Sequence, residues 1–262
     1  MNFDFEGYID FKSFVGRYDV LPNKIVELFR EFEHPKKINI IDLGSGELTL
    51  LEKMNDALSK HYNTNCIAID DSKDILGNIL IKYGGSLPDF LHEFVQQDIE
   101  EYIKQNDGSW NLILLSHVIY HIPLSNWIQL IKRLQNQLAV NGKLFVVARS
   151  IKGEWWSIFE NLQRKIEQFQ LSTYRFSEDF EKALRETGIN YHKTGVSYIG
   201  TVNNLSQLVN AFEFLYRLPS GYVEPESNLH KSIAFSAQNK IVNGDCQFGF
   251  IDEIFMISSL NE

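Results

Sequence analysis

Apolar residues along this chain fall into short unbroken runs, separated by longer stretches in which they return every three or four positions. The runs are Ile38 to Leu43, Asn65 to Ile69, Glu93 to Gln96, Leu112 to Leu115 and Leu144 to Ala148. They are rich in Ile, Leu and Val and do not alternate strictly with polar residues. Strands buried on both faces of a parallel sheet read this way. The stretches between them, Leu48 to His61, Lys73 to Tyr83 and Ser125 to Ala139, have helical length and spacing. Asn141-Gly142 reads as the stop of the last helix. Strand followed by helix, repeated through residue 148, predicts a doubly wound α/β sheet.

The flanks read differently. Residues 1–37 look like a helical cap, with Leu21 to Phe32 as its clearest helix. Ile151 to Gln170 reads as a long amphipathic helix. Ser177 is placed as the N-cap of another helix, with Gly188 as its stop. Tyr191 to Thr201 and Gln247 to Ser258 read as strands, with a helix at Ser206 to Arg217 and an irregular stretch between. Without a repeat or a low-complexity linker, the expectation is one domain over 1–262. Within it, 38–150 would form a cofactor-binding half and 151–262 a substrate-side half.

Composition narrows the function classes. The 262 residues are 44% hydrophobic and 23% charged, enough for a sizeable core. The net charge of −9 does not suit a phosphate backbone, so no nucleic-acid partner is expected. The two cysteines, Cys66 and Cys246, form no Cys-x-x-Cys pair, so no metal site and no disulfide framework are expected. The absence of a basic-then-apolar start and of any apolar run of about 18 residues leads to a cytoplasmic, non-membrane expectation.

The first strand runs into Asp42-Leu43-Gly44-Ser45-Gly46-Glu47. Two glycines after a buried strand permit a tight turn and close approach of a ligand to the backbone. Asp70 ends the second strand 24 residues after Gly46, near the spacing of about 20 at which an acid meets a ribose. Glu47 at the helix start would repel a pyrophosphate. S-adenosylmethionine has no phosphate and carries an ammonium and a sulfonium, so Asp42 and Glu47 suit it better than NAD.

These residues resemble motif I of the class I, Rossmann-like S-adenosylmethionine-dependent methyltransferases, and the resemblance extends over about residues 38–150. It implies a seven-stranded, mostly parallel sheet with helices on both faces and the last strand inserted antiparallel between the fifth and sixth. It also implies that Gly44, Ser45 and Gly46 pack on the methionine part of the cofactor. Ile69-Asp70-Asp71-Ser72 is similar to the family's second-strand motif, which implies that Asp70 holds the ribose hydroxyls. Gln97-Asp98-Ile99 is similar to the third-strand end, with Asp98 on the adenine amino group and Ile99 against the ring. Leu114-Leu115-Ser116-His117 is similar to the fourth-strand end, beside the reactive methyl. The chain departs from motif I at its third glycine, where Leu48 stands.

Ligands of open α/β sheets lie beyond the carboxyl ends of the strands. The candidate substrate residues are therefore His117, Tyr120 and His121 after strand four, Trp155 and Trp156 after strand five, and Tyr18 in the cap. An aromatic wall suits a sulfonium or a cationic amine. Ser116-His117-Val118-Ile119-Tyr120-His121-Ile122, Gly153-Glu154-Trp155-Trp156 and Phe176-Ser177-Glu178-Asp179-Phe180 are similar to segments of the histamine N-methyltransferase-like family. A substrate-contacting glutamine of that family falls on His117. The resemblance implies a small nitrogen nucleophile, with His117 and His121 as candidate bases near neutral pH. Two other functions fit the same cofactor residues. One is an O-methyltransferase of a small carboxylate or hydroxyl compound, for which Arg149 would suit the carboxylate. The other is a non-catalytic cofactor-binding sensor or partner protein.

Overall fold

The computed structural model describes residues 16–156, 160, 175–215, 218, 221–238, 240–242 and 245–259. A 3-10 turn, Gly16–Asp19, leads into α1 (Leu21–Phe29), with Pro22 in its first turn where no N–H is needed. Alternation follows: β1 (Lys37–Leu43), α2 (Thr49–Leu58), β2 (Asn63–Asp70), α3 (Lys73–Lys82), β3 (Leu91–Gln96), α4 (Ile99–Gln105) and β4 (Trp110–Ser116). Two 3-10 turns, Ile119–His121 and Leu124–Asn126, precede α5 (Trp127–Asn136) and β5 (Leu138–Arg149). The rest comprises α6 (Ser177–Glu186), β6 (His192–Val202), α7 (Leu205–Leu215), α8 (Asn228–Gln238), β7 (Ile241–Val242) and β8 (Asp245–Ser258).

The sheet order is β3-β2-β1-β4-β5-β8-β6, with the two-residue β7 added on β8. Strands β1 to β5 pair in parallel. β8 runs antiparallel to β5, with Arg149 opposite Asp252. The long last strand is therefore inserted between β5 and β6, as the methyltransferase resemblance implies. β4 is buried on both faces from Trp110 to Leu115, which explains its unbroken apolar sequence.

The described fold divides into two compact units. The larger takes Tyr18–Arg149, Arg175–Val196 and Asp252–Glu262. Its core is filled from α5 by Trp127, Leu130, Ile131 and Leu134, which share one face at helical spacing. The ring of Phe180 meets Trp127 and Phe255 edge-on, with centroids 5.7 and 5.1 Å apart. The smaller unit takes Met1–Arg17, Ser150–Tyr174 and Ser197–Ile251. Its described core centres on Phe250, between the stacked rings of Trp155 and Tyr198 at 5.0 and 5.4 Å. In this unit Gly153 lies so close to the backbone of Phe250 and Ile251 that a side chain would crowd it.

Some local expectations are corrected. Asn141-Gly142 does not stop a helix, because α5 ends at Asn136 and β5 has begun by Leu138. The pair forms a bulge in β5, where the register to β4 shifts, with Asn141 at φ +61 and Gly142 against the carbonyl of Trp110. A helix stop and a bulge both call for a left-handed residue, so the dipeptide alone does not separate them. The stretch read as irregular before the last strand holds α8, whose start is capped by Ser227 Oγ accepting from the His230 N–H. Phe176, not Ser177, precedes the first helical residue of α6, and Asp179 accepts from its N–H at 3.0 Å. The expected helix Ile151 to Gln170 lies outside the described residues except for 151–156 and 160, of which 154–156 and 160 are helical. Residues 1–15 of the expected cap lie outside them as well.

Candidate active site

Beyond Leu43 the chain turns through Gly44 at φ +74 and Gly46 at φ +52. The turn is fastened to the end of β2. The Gly44 and Ser45 N–H groups donate to Ile69 O at 2.7 and 3.0 Å. The Gly46 N–H donates to Asp70 Oδ2 at 2.9 Å, and the Ser72 N–H donates to Asp70 Oδ1 at 3.0 Å. Leu48, which stands in the third glycine position of the motif, adopts φ +64 and is fully buried. The left-handed backbone is thus kept without glycine. The burial of the side chain offsets a conformation that costs about 1–2 kcal/mol for an L-residue.

This corner is acidic, and Asp42 is buried in it. Asp42, only 2% exposed, has its carboxyl pushed up to about 7, first by burial and then by the nearby Asp70 charge. Burial also raises Asp70, while the N–H donors of Ser72 and Gly46 pull it back. Cys66 is pushed up to about 12 by burial and by Asp42, so its thiol stays protonated.

The end of β4 packs directly on the glycine turn. A Cβ on Gly44 would fall 2.3 Å from Val118 Cγ2, so only glycine lets the two loops approach this closely. His117, the residue before, lies at φ +58 and donates its N–H to Val147 O at 2.9 Å. Its Nε2 is 3.0 Å from Asp252 Oδ2, and its Nδ1 is 3.3 Å from Tyr120 Oη. Tyr120 Oη also accepts the Arg149 backbone N–H. Arg149 Nε lies 3.6 Å from Asp252 Oδ1. Asp252 is fully buried, and the His117 and Arg149 side chains are nearly so. Trp127 Nε1 donates to Ile119 O at 3.0 Å and Ile122 O at 2.9 Å, which locks the turn carrying Tyr120.

Comparison with known proteins decides the family. The family described as Methyltransferase domain matches residues 16–194. The chain belongs to the methyltransferase-domain family. Among solved structures this methyltransferase is similar to the YcgJ protein of Bacillus subtilis, at 11% identity and a TM-score of 0.52, covering 90% of this chain and 99% of that one. It is also similar to the plantazolicin methyltransferase BpumL, solved with a monoazolic desmethylPZN analog and SAH, at 13% identity and a TM-score of 0.51. That match covers 92% of this chain and 84% of BpumL. The cyclopropane synthase MmaA2 of Mycobacterium tuberculosis gives 12% identity and a TM-score of 0.50, covering 90% and 83%. At these identities the likeness shows the fold alone. No curated protein matches the sequence.

The methyltransferase is an enzyme of the class I type, whose methyl donor is S-adenosylmethionine. The residues fit that donor. The N–H groups of Gly44, Ser45, Gly46 and Leu48 are all taken by acceptors of the chain itself, so this turn does not present them to a phosphate. Each Asp70 oxygen accepts one backbone N–H, and a carboxylate has capacity for further donors such as the two hydroxyls of a ribose. A cationic amino acid moiety suits the acidic corner around Asp42.

The other sequence candidates fall as follows. Ser116 ends β4, half-buried. Asp71 is exposed beyond β2. Asp98 is exposed and caps α4, accepting the Glu101 N–H at 3.0 Å, and Ile99 opens that helix. His121 is exposed on the same 3-10 turn as Tyr120. Tyr18 borders a shallow surface depression lined by Pro22, Asn23, Lys53, Asp56 and Lys60, which contains none of the other substrate candidates. Trp155 and Trp156 belong to the smaller unit, where Trp155 is core. Asp252 escaped the sequence reading, since no local motif marks it. Its only signal is its place in the last strand, which the sheet sets beside Arg149. No helix among the described residues is long and apolar enough to cross a membrane.

Proposed function

We propose that this methyltransferase, acting as one domain over its 262 residues, moves a methyl group to a nitrogen of a small molecule. S-adenosylmethionine supplies the activated methyl when bound, with Asp70 toward the ribose, Asp98 and Ile99 toward the adenine, and Gly44, Ser45, Gly46 and Asp42 around the methionine part. The protein's task is then orientation and exclusion of water. His117 and Tyr120 orient the acceptor, with His121 and Tyr18 as further substrate-side groups.

The observation that carries the nitrogen reading is the pairing of Arg149. A carboxylate acceptor needs a cation to meet its oxygens, and Arg149 is the residue that offers one. Its Nε faces the buried Asp252 at 3.6 Å, so its charge is matched within the chain. Beside His117 stands the Tyr120 ring, 6.1 Å away between centroids, and an aromatic surface favours an amine or an imidazole-like ring over an acid.

Incubation with methyl-labelled S-adenosylmethionine and panels of small amines, carboxylic acids and phenols tests this. Labelled N-methyl products are expected. Product from acids or phenols alone refutes the nitrogen reading. Tight S-adenosylhomocysteine binding with no product from any panel favours the sensor reading.

A further inference from the structure

We infer that Tyr120 is the catalytic residue that takes the acceptor's proton, and that His117 with Asp252 forms the relay that draws it onward. This rests on the nitrogen reading above. All four residues of the network belong to the larger unit.

The geometry orders the hydrogens. Asp252 lies between the Arg149 guanidinium and the His117 ring, and an ionised carboxylate can only accept. His117 therefore carries its hydrogen on Nε2, toward Asp252 Oδ2 at 3.0 Å. Nδ1 is then the lone-pair nitrogen, and Tyr120 Oη donates to it across 3.3 Å. The Arg149 backbone N–H donates into the same phenol oxygen, which directs the hydroxyl hydrogen away from the backbone and toward the ring. With both ring nitrogens turned to protein groups, His117 acts on the acceptor through Tyr120 and is a positioning residue.

The placement supports a working site. His117 is held in a left-handed conformation that non-glycine residues seldom adopt. Such a residue persists only where its surroundings enforce it, here through its N–H bond to Val147 and the contact of Val118 with Gly44. Tyr120, by contrast, is only half-buried.

A protonated amine breaks an N–H bond and leaves the electron pair on nitrogen. The proton joins Tyr120 Oη as the phenol hydrogen passes to His117 Nδ1. The amine is now neutral and nucleophilic, Tyr120 is unchanged, and His117 is an imidazolium whose charge is met by Asp252. Once the methylated product has left, the His117 Nδ1 proton returns to Tyr120 Oη as the phenol passes its own hydrogen to water. The charged groups facing His117 include Asp252 and, behind it, Arg149.

The test uses the full chain saturated with S-adenosylhomocysteine for binding and NMR, and labelled S-adenosylmethionine with the amine panel for turnover. Tyr120→Phe removes only the hydroxyl. It is expected to lower kcat with an amine by about 10²-fold, while S-adenosylhomocysteine affinity holds. Asp252→Asn is expected to lower the NMR titration midpoint of His117 by about 1–3 pH units and to move the acid limb of the rate profile with it. Should Asp252→Asn not fold, Tyr120→Phe decides: a wild-type kcat from about pH 6 to 9 overturns the relay. An unchanged His117 midpoint in a folded Asp252→Asn protein overturns it as well. If the wild type methylates no amine, the nitrogen reading fails by itself, and the His117 midpoint still decides whether Asp252 controls the ring.

Discussion

Replacing Asp42 with Asn removes a charge that the folded protein cannot hydrate. Asp42 sits in β1 between Ile41 and Leu43, both fully buried, and faces a second carboxyl at Asp70. Burial, then Asp70, raises its pKa from 3.8 to about 7. Below 3.8 both folded and unfolded chains hold the proton, and the group has no effect. As pH rises toward 7 the unfolded chain ionises while the fold keeps its proton, so stability falls, and the whole loss is present above 7. At 1.36 kcal/mol per unit, the raised pKa corresponds to about 4 kcal/mol. An asparagine does not titrate, so whatever its amide costs in packing is the same at every pH. Urea unfolding of both proteins from about pH 4 to 8.5 should therefore show the variant gaining on the wild type by about that amount. A difference that stays flat refutes the reasoning. The cofactor assignment adds a second readout. An ammonium bound beside Asp42 favours its charged form, so S-adenosylmethionine binding near pH 6.5 should release protons in the wild type and fewer in Asp42→Asn. Calorimetry in two buffers of different ionisation enthalpy measures this.

Other substitutions probe the rest of the corner. Asp70→Ala should weaken S-adenosylhomocysteine binding by about 1.5–3 kcal/mol, the size of hydrogen bonds to a charged group; unchanged calorimetric affinity would remove Asp70 from the site. Gly44→Ala puts a Cβ 2.3 Å from Val118 Cγ2 at φ +74 and should cost about 1–3 kcal/mol in denaturant unfolding. Val118→Ala added to it should recover part of that loss, and a Gly44→Ala protein as stable as wild type would contradict the contact. Trp127→Phe takes the indole donor from the carbonyls of Ile119, which keeps the Ile122 N–H, and Ile122, and should lower stability by about 1–3 kcal/mol and turnover more than cofactor affinity. Equal loss of turnover and affinity would mean that the Tyr120 turn is not what Trp127 holds.

How much of this was legible follows from the range over which each feature is encoded. β1, β2 and β4 are read within about two residues because each carries a run of apolar residues through the sheet's interior, unbroken in β4 and confined to Cys66–Ile69 in β2. The glycine turn and Asp70 are read because a left-handed backbone and a strand-end acid leave local marks. α4 escaped because it has only 7 residues, and its one signal is the Asp98-x-x-Glu101 start. Asn141-Gly142 misled because a bulge needs the same backbone as a helix stop. His117 and Tyr120 stand three residues apart and read as one group in the sequence, but Asp252 lies 135 residues beyond His117. Nothing near Asp252 announces a partner. It reaches His117 because β8 pairs antiparallel with β5 in the register that sets Asp252 opposite Arg149. A shift of one residue would turn Asp252 to the other face and bring Glu253 or Ile251 into its place. The strand that marks the fold as a methyltransferase sheet is thus also the one that supplies the buried carboxylate. Its register ties topology to chemistry in a way that local periodicity does not encode.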